Sequence, residues 1–213
     1  MKIAIASLYD DNYEDFVQQT LFSNHIEYCN RHGYTLLAEK RSFVENKGWE
    51  QIKFLLENIS KYDWIWYVGN DTLVMNHTIK VEDKIDNNYH YIVSSDINGP
   101  NAHSFLVRNS PECIQWLEFI WSMRFNDDYF HHNWADNQVV HDFHNQQPWS
   151  TYIKVQPQRY MNSYLYRELW GYRWEERWAE GQFEEGDWLL HMPGTDLETR
   201  KWIVENFKNK VIK

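Results

Sequence analysis

Trp64-Ile65-Trp66-Tyr67-Val68-Gly69-Asn70-Asp71 is the stretch on which the fold turns. Positions 64–68 are unbroken aromatic and β-branched sequence, which suits a strand buried on both faces. The run stops at Gly69-Asn70-Asp71, a polar break. In open α/β sheets, ligands bind just beyond the carboxyl ends of the strands, so Asp71 stands where a functional carboxylate is expected.

Working outward, residues 2–7 are rich in Ile and Ala and read as a second buried strand. Residues 13–31 have helical spacing and end at His32-Gly33, with Gly33 as the cap. Residues 34–39 read as a short strand. Residues 48–60 read as a helix with Trp49, Ile52, Leu55, Leu56 and Ile59 on one face. Beyond the central run, strands are expected at 89–95, ending at Asp96, and at 104–108. A helix over 111–123 has Pro111 at its first position, and another spans 134–143. Strands at 152–155 and 187–191 follow. Thr195 is placed to cap a last helix running to 207, with Glu198 completing a capping box. The alternation predicts an α/β fold with a mostly parallel central sheet and helices on both faces.

The chain has 213 residues and a formal net charge of −10, from 21 basic and 31 acidic side chains. That balance argues against a nucleic-acid partner, whose phosphates demand a basic surface. Two cysteines, Cys29 and Cys113, cannot build a disulfide framework or a cysteine zinc site. The apolar run at the start is too short for a signal peptide or a membrane span. A soluble protein in a reducing, cytoplasmic compartment is expected. Aromatic residues make up 17% of the chain, with 12 Trp and 14 Tyr. Flat rings with a polar edge stack well on the C–H faces of sugars, and they also pack cores.

Two polar residues stand at strand ends. Asp71 can hold a divalent cation such as Mn²⁺ or Mg²⁺ against a diphosphate, because hard cations prefer oxygen ligands. His191 closes residues 186–191 and can complete such a site through a ring nitrogen. The ring-rich stretch Trp170-Gly171-Tyr172-Arg173-Trp174, with Trp178 beyond it, reads either as an acceptor platform or as a surface helix packing its rings on the body. His131, His132, His141 and His144 invite a metal reading, against which stands ordinary solvation of surface histidines.

Residues 62–76 resemble "YDWIWWLDADTLIMN" of glycosyltransferase family 34, the fungal galactosyl- and mannosyltransferases and plant xyloglucan xylosyltransferases. Further matches follow in order. Tyr28-Cys29 with His32-Gly33-Tyr34 resembles YC…HGY, and Gly48-Trp49-Glu50 a helix start. Asp96 to Asn109 resembles DxNGLNxGxFLIRN, and Asp136-Asn137-Gln138 resembles DDQ. Gln156 with Asn162-Ser163-Tyr164 resembles Q…NSY, and residues 186–194 resemble GDFLVHFPG. The resemblance spans nearly the whole chain.

It implies a GT-A, Rossmann-like fold in one domain over 1–213, with a nucleotide-binding part at about 1–110 and an acceptor part at about 111–213. It implies a retaining transferase that moves a hexosyl or deoxyhexosyl group from a UDP-sugar donor to a glycan acceptor, with Mn²⁺ held by Asp71 and His191. Asp136, Asn137 and Gln138 carry over to the catalytic region. Asn70, Asp96, Asn101, His103 and Gly194 carry over to the donor; Ser7 and Tyr9, just past the first strand, are candidates for the nucleoside. The chain departs from the family where Gly69 replaces the first motif aspartate, Gln51 a lysine and His103 a glycine. With the first aspartate missing, Gly69→Asp is expected to leave metal binding equal or tighter. The size of the chain also resembles glycosyltransferase domains of large algal DNA viruses, which implies a viral or bacterial enzyme. Gly69 and Gln51 favour a rival, a catalytically silent nucleotide-sugar or glycan-binding domain. A metal-dependent hydrolase on the histidine-rich middle is a third reading.

Overall fold

The computed structural model describes residues 1–42, 47–171 and 175–213. Its main sheet has six strands in the order β2 (Thr35–Lys40), β1 (Ile3–Tyr9), β3 (Trp64–Val68), β6 (Gly99–Arg108), β5 (Tyr91–Asp96), β7 (Ile153–Gln156). β1 runs parallel to β2 and β3, and β5 parallel to β7. β6 is antiparallel to both its neighbours, so the sheet is mixed. The cause is local. Asp96 pairs with Gly99 across a tight turn in which the Asn98 backbone N–H donates to Asp96 Oδ1 at 2.7 Å. Gly99 takes φ +121°, where a side chain would be strained. A connection this short can only reverse the chain.

The helices are α1 (Glu14–Val17), α2 (Ile26–His32), α3 (Lys47–Asn58), α4 (Pro111–Ser122), α5 (Asp127–Phe130), α6 (Asp136–Phe143), α7 (Tyr166–Trp170) and α8 (Leu197–Phe207). Side chains alternate across a strand, and both faces of the central strands are covered. Ala4, Ala6, Leu8, Ile65 and Tyr67 pack with Trp49, Ile52 and Leu55 of α3 and Trp116, Leu117 and Ile120 of α4. On the opposite face, Ile3, Ile5, Trp64, Trp66 and Val68 meet Tyr28 and Cys29 of α2. Trp66 stacks there on Trp188 with ring centroids 4.1 Å apart. Burying each large side chain contributes about 1.5–3 kcal/mol. Cys29 and Cys113 are buried free thiols, both pushed up to about 12 by burial.

Three short strands, β4 (Thr72–Val74), β9 (Leu189–His191) and β8 (Ser163–Tyr164), form a second sheet. β4 pairs antiparallel with β9, placing Thr72 opposite His191. The expected helix over 13–31 is interrupted. Between α1 and α2 lies a widened π-helical turn over Thr20–His25. Its side chains serve the neighbouring strand: Asn24 exchanges hydrogen bonds with the Val74 backbone at 2.7 and 2.9 Å, and Thr20 Oγ1 donates to Asn70 O at 3.0 Å. Such turns occur where a helix gives up regularity for tertiary contacts. Gly33 ends α2 at φ +74° as expected. The last helix is capped by Asp196, which accepts from Thr199 N at 2.8 Å, and not by Thr195. Thr195 Oγ1 instead donates to Met192 O. No helix among the described residues is long and apolar enough to cross a membrane.

Candidate active site

The carboxyl end of β3 opens into a cavity of about 800 Å³. Asp71 lies at one end of it. The turn Gly69-Asn70 that precedes it is clamped: Gly69 N donates to His103 O at 2.8 Å, Thr72 Oγ1 to Gly69 O at 2.7 Å, and Asn70 Nδ2 to Leu8 O at 2.9 Å. Pairing of β4 with β9 brings His191 beside Asp71, with Nε2 3.5 Å from Asp71 Oδ1. His191 is 1% exposed, and its Nδ1 lies 2.8 Å from Asn162 Oδ1. That bond makes Nδ1 the donor, so Nε2 is the nitrogen turned toward Asp71 and open to a ligand. Nε2 has no hydrogen-bond partner among the described residues. A buried, unsatisfied imidazole nitrogen beside a carboxylate, its other nitrogen held by an amide, fits a metal ligand. Asp71 and His191 are the pair that could hold one side of a divalent cation. No three His, Cys, Asp or Glu side chains among the described residues already form a finished cage. His141 meets Asp142, and His144 Nδ1 lies 2.9 Å from the His141 carbonyl.

Arg200, on α8, places Nη2 3.0 Å from Asp71 Oδ2. It lines the cavity, as do Pro193 and Gly194, the latter at φ +63°. Burial works against ionisation of Asp71, but His191, Arg200 and His103 outweigh it and hold the carboxyl below the usual range. His103 is exposed to the cavity, and the protein packed around the opening works against a charge there and lowers its imidazole from the ordinary value.

The other end of the cavity has a different chemistry. Asp136 begins α6, is 2% exposed, and accepts a short hydrogen bond from Gln51 Nε2. Burial pushes its carboxyl up to about 7, because amides and backbone N–H groups, not cations, oppose the cost. Ala135 precedes it at φ +43°, unusual for a residue with a Cβ. At this bend Trp134, 44% exposed, lies at the cavity while Asp136 is buried. Gly48 is required here: a Cβ on it would meet Asp136 Oδ1 at 1.8 Å. Asn137 lines the cavity and accepts from Ala102 N at 2.6 Å. Asn101 donates to Asp96 Oδ2 at 2.9 Å, and Tyr164 OH to the same oxygen at 3.0 Å.

Asn70, Asp71, Asp96, Asn101, His103, Asp136, Asn137, His191 and Gly194 therefore share one cavity. Three expected residues stand apart. Gln138 turns to Asp142, with Nε2 2.8 Å from Oδ1, and Asn137 is the amide that lines the cavity. Ser7 is fully buried, and Tyr9 rests edge-on against Phe22. Leu8 between them lines the cavity, since alternate residues of β1 face opposite ways. Arg200 was not singled out from sequence; a basic residue beyond a strand-end His-Met-Pro-Gly was the available signal. Of the ring-rich stretch, Trp170 and Trp178 line the cavity; Tyr172, Arg173 and Trp174 lie outside the described residues.

A mixed sheet with a cavity at its carboxyl edge is the GT-A arrangement, and solved glycosyltransferases share it. A glycosyltransferase involved in glycosylation of the major capsid of PBCV-1 superposes with a TM-score of 0.77 at 17% identity, over 97% of this chain and 100% of that one. The galactosyltransferase LgtC, solved with donor and acceptor sugar analogs, gives a TM-score of 0.60 at 13% identity, over 98% and 95%. The chain belongs to the galactosyl transferase GMA12/MNN10 family, whose profile matches residues 3–89 and 86–202. An α-1,2-galactosyltransferase of Schizosaccharomyces pombe is 25% identical over 83% of this chain and 56% of its own length. A probable α-1,6-mannosyltransferase, MNN10, of Saccharomyces cerevisiae is 19% identical over 82% and 54%. The chain thus spans about half the length of these curated relatives.

Proposed function

We propose that this chain transfers a hexosyl or deoxyhexosyl group from a UDP-sugar to a glycan hydroxyl, with retention and with a divalent metal such as Mn²⁺. The observation that carries the reading is the unsatisfied Nε2 of His191 facing Asp71 at the head of a cavity large enough for a sugar nucleotide. An ion held there would act as a Lewis acid on the leaving diphosphate. Arg200 adds a permanent positive charge on the same side, and guanidinium suits phosphate oxygens. Gly194, having no Cβ, lets backbone approach the phosphates closely. Asn101, Asn137 and Asp96 offer polar groups to the donor sugar's hydroxyls. Asp136, part protonated near neutrality, can donate as well as accept there. Trp134, Trp170 and Trp178 supply ring faces for the acceptor. No free nucleophile is required: fixed dipoles and charges stabilise the oxocarbenium-like transition state.

The test is thermal unfolding with UDP and UDP-sugars, with and without Mn²⁺. Ligand at about 100 times its dissociation constant should add roughly 2.7 kcal/mol. No shift with UDP and any divalent ion would sink the assignment. A second reading, a silent binding domain, is favoured by Gly69 and by the Arg200 ion pair already on Asp71. It wins if UDP binds but no UDP-sugar in a broad panel is hydrolysed or transferred.

A further inference from the structure

Gly69 and His103 are two departures from the family pattern, and they face each other. The antiparallel ladder of β3 and β6 pairs Val68 with Ser104. One step further it sets Gly69 against His103, joined by the Gly69 N–H on the His103 carbonyl. A Cβ on Gly69 would stand 3.0 Å from His103 Cδ2 and 2.7 Å from Asp71 Oδ1. The imidazole therefore fills space that a side chain at position 69 would claim. Where the family pattern has aspartate on one strand and glycine on the other, this chain has glycine and histidine.

The imidazole also sits where a donor is needed. Its ring stacks on that of His191 with centroids 5.3 Å apart and planes 21° from parallel. The contact puts the two imidazoles side by side at the cavity, although stacked planes do not yet aim both rings at one point. The backbone of His103 is fixed on both sides, by Gly69 N and by Asn101 Oδ1, which accepts from His103 N at 3.1 Å. With the backbone held, His103 would reach Asp71 and His191 by turning about its side-chain bonds.

We propose that His103 is the third protein donor of the metal site, replacing from the opposite strand the carboxylate that Gly69 lacks. The proposal rests on Asp71 and His191 being a metal half-site. The donor set is then two imidazoles and one carboxylate, in place of two carboxylates and one imidazole. Imidazole suits Co²⁺, Ni²⁺ and Zn²⁺, while carboxylates suit Mn²⁺ and Mg²⁺. The substitution should shift metal preference toward the first group.

The experiment measures Co²⁺ and Mn²⁺ binding by calorimetry and by the visible absorption of bound Co²⁺. It uses the unaltered chain, His103→Ala, and the double variant Gly69→Asp with His103→Gly. His103→Ala should lose at least about tenfold in Co²⁺ affinity and change the absorption band, with a smaller loss for Mn²⁺. The double variant should recover Mn²⁺ binding and lower the Co²⁺-over-Mn²⁺ preference by about tenfold or more. Gly69→Asp alone should lower Tm, and adding His103→Gly should restore part of that loss. Pulsed EPR on Mn²⁺ bound to the unaltered chain counts coordinated imidazoles whether or not the variants fold. Two sustains the proposal. One imidazole, no metal binding, or Co²⁺ affinity within about twofold after His103→Ala overturns it. UDP binding, scored in the same samples, separates the two readings. Metal binding that depends on His103 without any UDP affinity keeps the site and removes the transferase. UDP-sugar turnover with an unchanged metal signal in His103→Ala does the reverse.

Discussion

Asp71 and Asp136 are two buried carboxylates in one cavity, and their surroundings push them in opposite directions. Asp71 has Arg200 and His191 against it and is held below the usual carboxylate range. Asp136 has Gln51 against it and is pushed up to about 7. Burial is common to both, so the partner decides. A cation repays the cost of ionisation, whereas an amide repays only part of it. Environments that drive two acids apart allow one site both a fixed charge and a proton-carrying group. The first matches the diphosphate end of the proposed donor, the second its sugar.

The comparison breaks most readily at Asp71. Asp71→Asn is expected to cut Mn²⁺-dependent UDP binding by about 100-fold or more if the proposed metal site holds, because it takes the charge from the proposed metal donor and from the partner of Arg200. Asp83→Asn is the control. Asp83 is exposed, and its side chain accepts a local bond from Lys80 N at 2.8 Å. Calorimetry on both variants checks this, and equal losses would remove Asp71 from the metal site.

A smaller effect sharpens the contrast through pH. The folded-state value of Asp136 is about 7, above its ordinary 3.8. Well below pH 3.8 the carboxyl is protonated in both states and costs nothing. As pH rises from there, the unfolded chain ionises first, and stability is lost until the folded carboxyl has also ionised above pH 7. The full shift corresponds to about 4 kcal/mol at most. Asp136→Asn should remove this decline. Chemical denaturation at pH 4.5 and pH 8.5 would show the variant gaining on the unaltered chain as pH rises. Parallel curves would mean that Asp136 ionises normally and the contrast with Asp71 is false.

The third effect is steric. Gly48→Ala forces a methyl group against Asp136 Oδ1, with the unrelaxed positions only 1.8 Å apart. It should cost about 1–3 kcal/mol by overpacking. In an Asp136→Ala background most of that cost should vanish, because the two residues are in direct contact. Persistence of the full penalty would show that Gly48 is needed for α3 itself rather than for seating Asp136.

Much of this molecule can be read from local sequence. The apolar run at 64–68, the helical face of Trp49, Ile52 and Leu55, and Gly33 as a cap all depend on near neighbours, and the structure has them where expected. The tight turn between Asp96 and Gly99 accounts for the reversed β6, which an alternating α/β pattern does not suggest. The interrupted helix at residues 20–25 was not legible, since Asn24 and Thr20 are spent on a strand 50 positions away.

By itself the sequence determined the strands of the main sheet and the longer helices packed on it, the family, and the identity of Asp71, Asp136 and His191 as candidate site residues. Those properties follow from side-chain pattern and from motifs only a few residues long. Tertiary structure alone decided that Gly69 faces His103, that Arg200 lies on Asp71, and that Leu8 rather than Ser7 or Tyr9 lines the cavity. Each depends on strand register and direction or on helix docking. A shift of one residue turns a side chain to the other face, and no local pattern encodes which distant residue it will meet.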